Sequence, residues 1–200
     1  MRIQKISPKY FSTKLSDPKL EDYIDVYEDQ VQGWFLDFAK QMHSNEHAGF
    51  AALQIVFSYF EAHSVNITGE DSRGKSESFF KRGVLSVFPE LTSYSGMNEV
   101  LLDSTLSALY QDGRCGFFHS GITRRRFVIS DGDPIIRIGA DPETGTLAIQ
   151  IFIDRRKFID RIFEHFRQYI SRLRDPSEVE LRSRFAAAQS LLHGELRIHR

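Results

Sequence analysis

The chain has 200 residues, of which 41% are hydrophobic and 26% charged, and its formal net charge is −1. This length fits one domain with a short appendage, and the apolar content is sufficient to bury a core, which excludes wholesale disorder. No apolar run approaches the ~20 residues of a membrane-spanning helix, and the N-terminus lacks the apolar stretch of a signal peptide. The single cysteine, Cys115, cannot form an intrachain disulfide, which favours a reducing compartment. We therefore expect a cytoplasmic protein with no membrane partner.

The charges are distributed unevenly along the chain. Residues 1–113 contain 10 Lys/Arg and 16 Asp/Glu, a net charge of −6, whereas residues 114–200 contain 16 and 11, a net charge of +5. Apart from Lys157, every basic residue of the second part is an arginine. Such asymmetry indicates either an anionic partner for the second part or attraction between the two parts, within one chain or between two copies.

The first part of the chain predicts an N-terminal arm and a helix. Residues 1–16 lack periodicity, so we expect an arm there and a single helical-bundle domain over residues 17–200. Asp17 followed by Pro18 is typical of a helix start. The apolar residues that follow recur at steps of three and four, which predicts one buried helix face. Its members are Tyr23, Tyr27, Val31, Trp34, Phe38 and Met42.

Further helices are predicted along the rest of the chain. Residues 46–63 leave almost no polar face, so this helix is expected to be central and buried all round. In the last helix, Ser177 and Glu180 have the spacing of a capping box. The other predicted helices cover residues 79–88, 98–113, 154–174 and 179–192.

Between the fourth and fifth of these helices the apolar period changes from helical to alternating. Residues 126–130, 135–138 and 146–153 predict three short strands separated by turns. The predicted fold is therefore mainly α: a four- or five-helix bundle with a small antiparallel β-meander, at about residues 124–153, inserted before the long helix of the C-terminal half.

One motif predicts nucleotide binding. Residues 69–76, from Gly69 through Gly74, Lys75 and Ser76, match the phosphate-loop pattern, in which backbone N–H groups and a lysine hold phosphates. The motif requires a buried strand before it, but a helix is predicted there. The alternative is a polar surface loop.

A second motif resembles a zinc site. His43, Glu46 and His47 have the spacing of an inverted zinc-protease motif, and two histidines four apart on one helix can share a metal. Ser44 and Asn45, however, favour a break between two helices, and no third ligand is identifiable. We predict neither a metal nor a cofactor.

A third motif lies where the fourth predicted helix ends. Arg114 and His119 stand five residues apart among glycines and aromatic residues. Arginine is a permanent, fork-shaped phosphate donor, and histidine exchanges protons near neutral pH, so together they suffice for metal-free RNA cleavage. Three consecutive arginines, Arg124, Arg125 and Arg126, follow and are candidate contacts to RNA phosphates.

The spacing from Arg114 to His119, late in a bundle helix, resembles that of the HEPN superfamily of helical-bundle proteins. The resemblance implies a homodimer in which the Arg–His motifs of two copies meet in a cleft. It also implies metal-independent RNA cleavage by Arg114, which binds phosphate, and His119, which acts as acid and base, often in toxins or phage-defence effectors. Active members usually carry a polar residue directly after the arginine, where this chain has Cys115. The alternative is therefore a non-catalytic HEPN-like module that dimerises or binds RNA.

Structural explanations of the same residues stay open. Arg114 can pair with Asp112 or Asp103, and His119 can lie at the helix C-terminus, where a cation is favoured. The three arginines can form a solvated strand edge that opposes aggregation.

Overall fold

The computed structural model describes residues 3–94, 97–124, 126–130, 132, 134–140 and 149–193. It confirms the predicted mainly α fold. The helices are α1 (Leu20–Val31), α2 (Asp37–Gln41), α3 (Gly49–Thr68), α4 (Ser76–Val87), α5 (Glu99–Ala108), α6 (Cys115–Ser120), α7 (Arg155–Arg174) and α8 (Val179–His193). Two π-helical segments join some of these helices into longer ones. Gln32–Leu36 joins α1 to α2, and Leu109–Arg114 joins α5 to α6.

The first helix begins later than predicted. The Asp22 carboxylate accepts a hydrogen bond from the backbone N–H of Lys19 at 2.8 Å, so the helix starts at Leu20 rather than directly after Asp17 and Pro18. The arm before it packs on this helix. Asp29 is buried and accepts hydrogen bonds from the Ser7 hydroxyl (2.6 Å) and the Lys9 backbone N–H (2.7 Å).

The predicted buried stripe of this helix holds only in its first two turns. Tyr23 and Tyr27 are buried, whereas Trp34 and Phe38 are 44% and 49% exposed. The π-helical segment Gln32–Leu36 is the reason: its wider turn accommodates an extra residue and rotates the face that follows. Leu36 and Ala39 take the buried positions instead.

Helix α3 is central, as predicted, but it is not buried all round, since Phe50 in its first turn is 45% exposed. Phe57 and Phe60 are fully buried in it, and Phe57 makes ring contacts with aromatic residues of α4, α6, β1 and α7. The helix continues five residues past its predicted end and stops where Gly69 adopts φ 73°, a left-handed conformation that terminates helices. Gly83 of α4 lies directly against its backbone, since a Cβ there would be 2.0 Å from the Phe60 carbonyl oxygen.

The remaining helices also match their predicted positions. Asn98 caps α5 by accepting from the Leu101 backbone N–H (2.9 Å), and Asp154 caps α7 by accepting from that of Lys157 (3.1 Å). The predicted capping box of α8 is wrong. The Ser177 hydroxyl donates to Asp175 instead, and Glu180 pairs with an arginine one turn further along α8.

The three strands are present, but the predicted antiparallel meander is wrong. β1 (Phe127–Ser130), β2 (Ile136–Ala140) and β3 (Ile149–Asp154) form a mixed sheet in the order β1-β3-β2. β1 runs parallel to the central strand β3, and β2 pairs with β3 antiparallel. Consecutive strands β1 and β2 are therefore separated by β3. The predicted turn at 139–145 and the start of the third predicted strand lie largely outside the described residues.

The uneven charge distribution produces ion pairs between the two parts of the chain. Arginines of the second part pair with carboxylates of the first part, which supports the interpretation that the two parts attract each other. These pairs are Arg114–Glu61, Arg126–Asp112, Arg161–Glu90, Arg174–Asp25, Arg174–Glu28 and Arg182–Glu21. Among the helices described, none has both the length and the apolar composition needed to cross a membrane.

Candidate functional site

Arg114 ends the π-helical segment between α5 and α6, a type of distortion that is frequent at functional sites. Its guanidinium donates to the Glu61 carboxylate on α3 at 3.3 Å, and the two side chains are 25% and 19% exposed. The same guanidinium lies 5.6 Å from the ring centre of Tyr110 and 5.0 Å from that of Phe118. One carboxylate and two aromatic rings of the chain itself therefore hold Arg114, and Cys115 beside it is half-buried.

His119 lies in the last turn of α6, and its residue is exposed. Five residues along a helix correspond to a rotation of about 140°, so Arg114 and His119 leave the helix in different directions. Within the described part of the chain, neither a hydrogen bond nor an ion pair joins the two side chains. The structure thus holds Arg114 against α3 and leaves His119 open to solvent.

The carboxylates considered as alternative partners of Arg114 bind other residues. Asp112 is buried and pairs with Arg126, and Asp103 accepts from Lys81 at 2.7 Å. Glu61, the carboxylate that Arg114 does bind, lies 53 positions away in sequence.

The three consecutive arginines differ in their surroundings. Arg126 is held by Asp112, whereas the Arg124 residue is exposed and its backbone N–H donates to the Asp112 carbonyl at 3.0 Å. Arg125 lies outside the described residues.

The phosphate-loop motif follows helix α3 directly, without the strand that such a motif requires. Lys75 lies 3.7 Å from the Glu70 carboxylate, and the Ser72 hydroxyl donates to Glu61 at 2.8 Å. Gly74 has φ 75°, and Ser76 begins α4. The lysine that would neutralise a phosphate therefore has a carboxylate beside it.

The zinc-like motif is broken, as its sequence indicated. Asn45 is extended and accepts from the His47 backbone N–H at 2.9 Å, so His43 and His47 lie in separate short helical turns. Within the described residues, no group of three metal-ligating side chains lies together.

A large polar cavity lies elsewhere, between α3, α4, α7 and α8. Its volume is about 750 Å³, within the range of small-molecule sites. We call it the histidine cavity. Its polar lining consists of His63, Thr68, Glu70, Arg82, Ser86, His165, Gln168, Tyr169, Arg172 and Arg184.

A chain of hydrogen bonds crosses the floor of the histidine cavity. The Tyr59 hydroxyl lies 2.9 Å from Nδ1 of His165, whose Nε2 lies 3.1 Å from the Ser86 hydroxyl. That hydroxyl in turn lies 3.1 Å from Nε2 of His63. Four side chains from three helices are joined in this way.

Two polar atoms at the floor have no hydrogen-bond partner among the described residues: Nδ1 of His63 and the hydroxyl of Tyr169. Both residues are buried, and His63 is 2% exposed. Burial, with a smaller contribution from neighbouring His165, lowers the pKa of His63 to about 3. Burial, with a smaller contribution from Arg161, lowers the pKa of His165 to about 4. Both imidazoles are therefore neutral at neutral pH.

A second unusual feature is a group of exposed aromatic side chains on α3 and on segments that contact it. Phe35 and Ile55 line one small apolar depression, Phe50 contacts the ring of buried Phe117, and Phe118 covers Arg114. We call this group the aromatic face. Its exposed members are Trp34, Phe35, Phe38, Phe50 and Phe118.

One feature of the sequence indicates the histidine cavity, although no motif marks it. His63 is an ionisable residue on a helix with almost no polar face, and a buried polar group needs a partner or a function.

Comparison of the chain with protein-family models, curated proteins and solved structures finds no match to any of them. The resemblance to HEPN proteins therefore stays a prediction from the motif and the helical architecture.

Proposed function

We propose that this chain is a HEPN-like helical module that pairs with a second copy through the aromatic face and acts by association rather than by cleaving RNA. One observation carries the proposal: the Arg114 guanidinium is already bound by Glu61 and covered by two aromatic rings. An arginine engaged in this way stabilises the surface around it and is poorly available to a phosphate.

The aromatic face suits contact with an identical surface. Large exposed aromatic residues are enriched at protein interfaces and are uncommon as a group on monomers. The charged residues beside Phe118, Glu61 and Arg114, neutralise each other. Two copies related by a two-fold axis therefore bring apolar area together without opposing like charges.

Sedimentation of the full chain over a range of concentrations tests the association. We expect a dimer for the wild type and a monomer, or a much weaker dimer, for Phe118→Ser. Val100→Ser is the matched control, because Val100 is 77% exposed at the other end of the same composite helix. A wild-type protein that stays monomeric throughout, or a loss of dimer in Val100→Ser alone, contradicts the proposal.

RNA cleavage is the second candidate, because His119 and Arg124, which follow Arg114 in the sequence, are both exposed. Incubation of the protein with RNA in EDTA separates the two. The proposal predicts intact RNA for the wild type and for His119→Ala. Cleavage by the wild type that disappears in both His119→Ala and Arg114→Ala replaces it with a metal-independent ribonuclease.

A further inference from the structure

We propose that the histidine cavity is a binding site for a small phosphomonoester, with the phosphate at the arginine-lined rim and the hydroxyl-bearing body at the floor. The cavity shares no residue with the aromatic face, so this inference is independent of the proposed function. Three features carry it: the unpartnered polar atoms at the floor, the direction of the hydrogen-bond chain and the charges at the rim.

The hydrogen-bond chain presents a donor to the cavity. The Tyr59 hydroxyl has His165 as its hydrogen-bond partner in the protein, and a phenol donates readily to an imidazole nitrogen. We assign the rest of the chain from this donor: neutral His165 donates from Nε2 to Ser86, and the Ser86 hydroxyl donates to Nε2 of His63. This order leaves the proton of neutral His63 on Nδ1, the atom that has no partner.

The floor is therefore suited to a ligand that accepts hydrogen bonds. His63 and Tyr169 both line the cavity, and each has a polar atom without a partner, an imidazole nitrogen and a hydroxyl; the centres of the two rings lie 4.9 Å apart. Leaving such groups unpaired in the interior costs free energy, and a bound oxygen acceptor removes that cost. Because the imidazoles are neutral, the floor favours neutral oxygens such as hydroxyl groups over a second anionic group.

The rim supplies positive charge. Arg82, Arg172 and Arg184 line the cavity together with one carboxylate, that of Glu70. Arg172 is paired with Glu178 at 2.6 Å and Arg184 with Glu180, as Arg114 is with Glu61, so of the three arginines Arg82 is the one available to an anion. Arg82 has no carboxylate partner among the described residues and lies 5.3 Å from the ring centre of Phe79. Planar guanidinium groups that surround one opening are typical of phosphate sites.

Isothermal titration of the full chain with ribose 5-phosphate tests the proposal, with inorganic phosphate and ribose as separate arms. We expect ribose 5-phosphate to bind more tightly than either part alone. Arg82→Gln should weaken its binding on the order of ten-fold, because a charge-assisted contact is lost, and Tyr169→Phe about five-fold, because a neutral one is lost. Arg167→Gln, which removes an exposed arginine of α7 outside the cavity, should bind as the wild type does.

Circular dichroism checks that each variant is folded. We expect Tyr169→Phe to keep its fold, because it removes a hydroxyl without a partner among the described residues. Three results overturn the proposal. One is no binding of ribose 5-phosphate to the wild type at millimolar concentration. Another is equal affinity for ribose 5-phosphate and inorganic phosphate or ribose. The third is unchanged affinity in both Arg82→Gln and Tyr169→Phe.

Discussion

The surroundings of Arg114 and the histidine cavity use the same kinds of side chain in opposite ways. Around Arg114, the guanidinium is bound by Glu61 and covered by two rings. In the cavity, a chain of four hydrogen-bonded side chains ends in a buried nitrogen without a partner. The first arrangement is complete within the chain, whereas the second lacks an acceptor. A sequence motif at the surface can therefore be satisfied by its own chain, whereas a cluster in the interior that no motif marks keeps polar atoms without a partner.

Each of the two regions contains a glycine at which a Cβ atom would clash, with backbone in one case and with a side chain in the other. Gly83→Ala places a Cβ 2.0 Å from the Phe60 carbonyl oxygen, so α3 and α4 must separate. Gly113→Ala, near Arg114, places one 2.7 Å from the edge of the Phe57 ring, which can shift. We expect Gly83→Ala to lower the free energy of unfolding by more than ~4 kcal/mol or to prevent folding, and Gly113→Ala by about 1–3 kcal/mol.

Urea unfolding followed by circular dichroism measures both changes. Ser78→Ala is the control, because Ser78 is an exposed residue of the same helix as Gly83. A Gly83→Ala variant as stable as Gly113→Ala contradicts the close approach of α3 and α4, on which the position of Ser86 beside His63 depends.

The two histidines of the cavity, His63 and His165, predict that the free energy of unfolding depends on pH. In the unfolded chain both imidazoles titrate near 6.5, whereas burial lowers the pKa in the folded protein to about 3 for His63 and about 4 for His165. As the pH falls below 6.5, the unfolded state takes up protons that the folded state excludes. The histidines' contribution is therefore complete above about pH 6.5 and decreases towards pH 4 and below, by on the order of 2 kcal/mol per imidazole at about pH 5.

Urea unfolding at neutral pH and near pH 5 tests this contribution. Tyr59, Ser86, His63 and Arg161 are the polar and charged groups that interact with His165. In His165→Gln the amide keeps hydrogen-bonding capacity but cannot be protonated, so the decrease between the two conditions should be about half that of the wild type. The same decrease in both proteins shows that His165 is not kept neutral by the fold.

The sequence predicted most of the helices because apolar residues at steps of three and four mark buried helix faces. It failed where local periodicity does not determine the structure. A single π-helical segment exposed Trp34 and Phe38. The pairing of β1 with β3 depends on contacts across the sheet, which no local alternation of residues encodes.

The candidate sites show the same division. Arg114 and His119 were found because they are close in sequence, but the partner of Arg114 lies 53 residues away. The cavity was not predicted, because its lining comes from four helices and its hydrogen-bond chain from three: Ser86 is 23 residues from His63 and 79 from His165. Spacing patterns detect sites within one element, whereas this site exists only after the helices have packed.

Removal of Arg114 should have a moderate effect. Arg114→Ala loses a partly exposed ion pair and the contact with two rings, so we expect it to lower the free energy of unfolding by about 1–2 kcal/mol. Arg124→Ala, a change at an exposed residue of the basic run, should alter it by less than about 0.5 kcal/mol. Urea unfolding of the two variants checks the difference. Equal effects argue against the structural role of Arg114 and favour a free guanidinium.

The smallest effect tests most directly whether the histidine cavity contains an unpartnered hydroxyl, because the sign of the change matters. Tyr59→Phe removes a hydroxyl that binds His165 at 2.9 Å, so it should destabilise the protein by about 1 kcal/mol. Tyr169→Phe removes a hydroxyl without a protein partner, so its effect should be near zero or a gain of up to about 1 kcal/mol. Thermal unfolding of the ligand-free protein compares the two. If Tyr169→Phe destabilises the chain as much as Tyr59→Phe, the Tyr169 hydroxyl has a partner within the fold, and the cavity is as complete as the surroundings of Arg114.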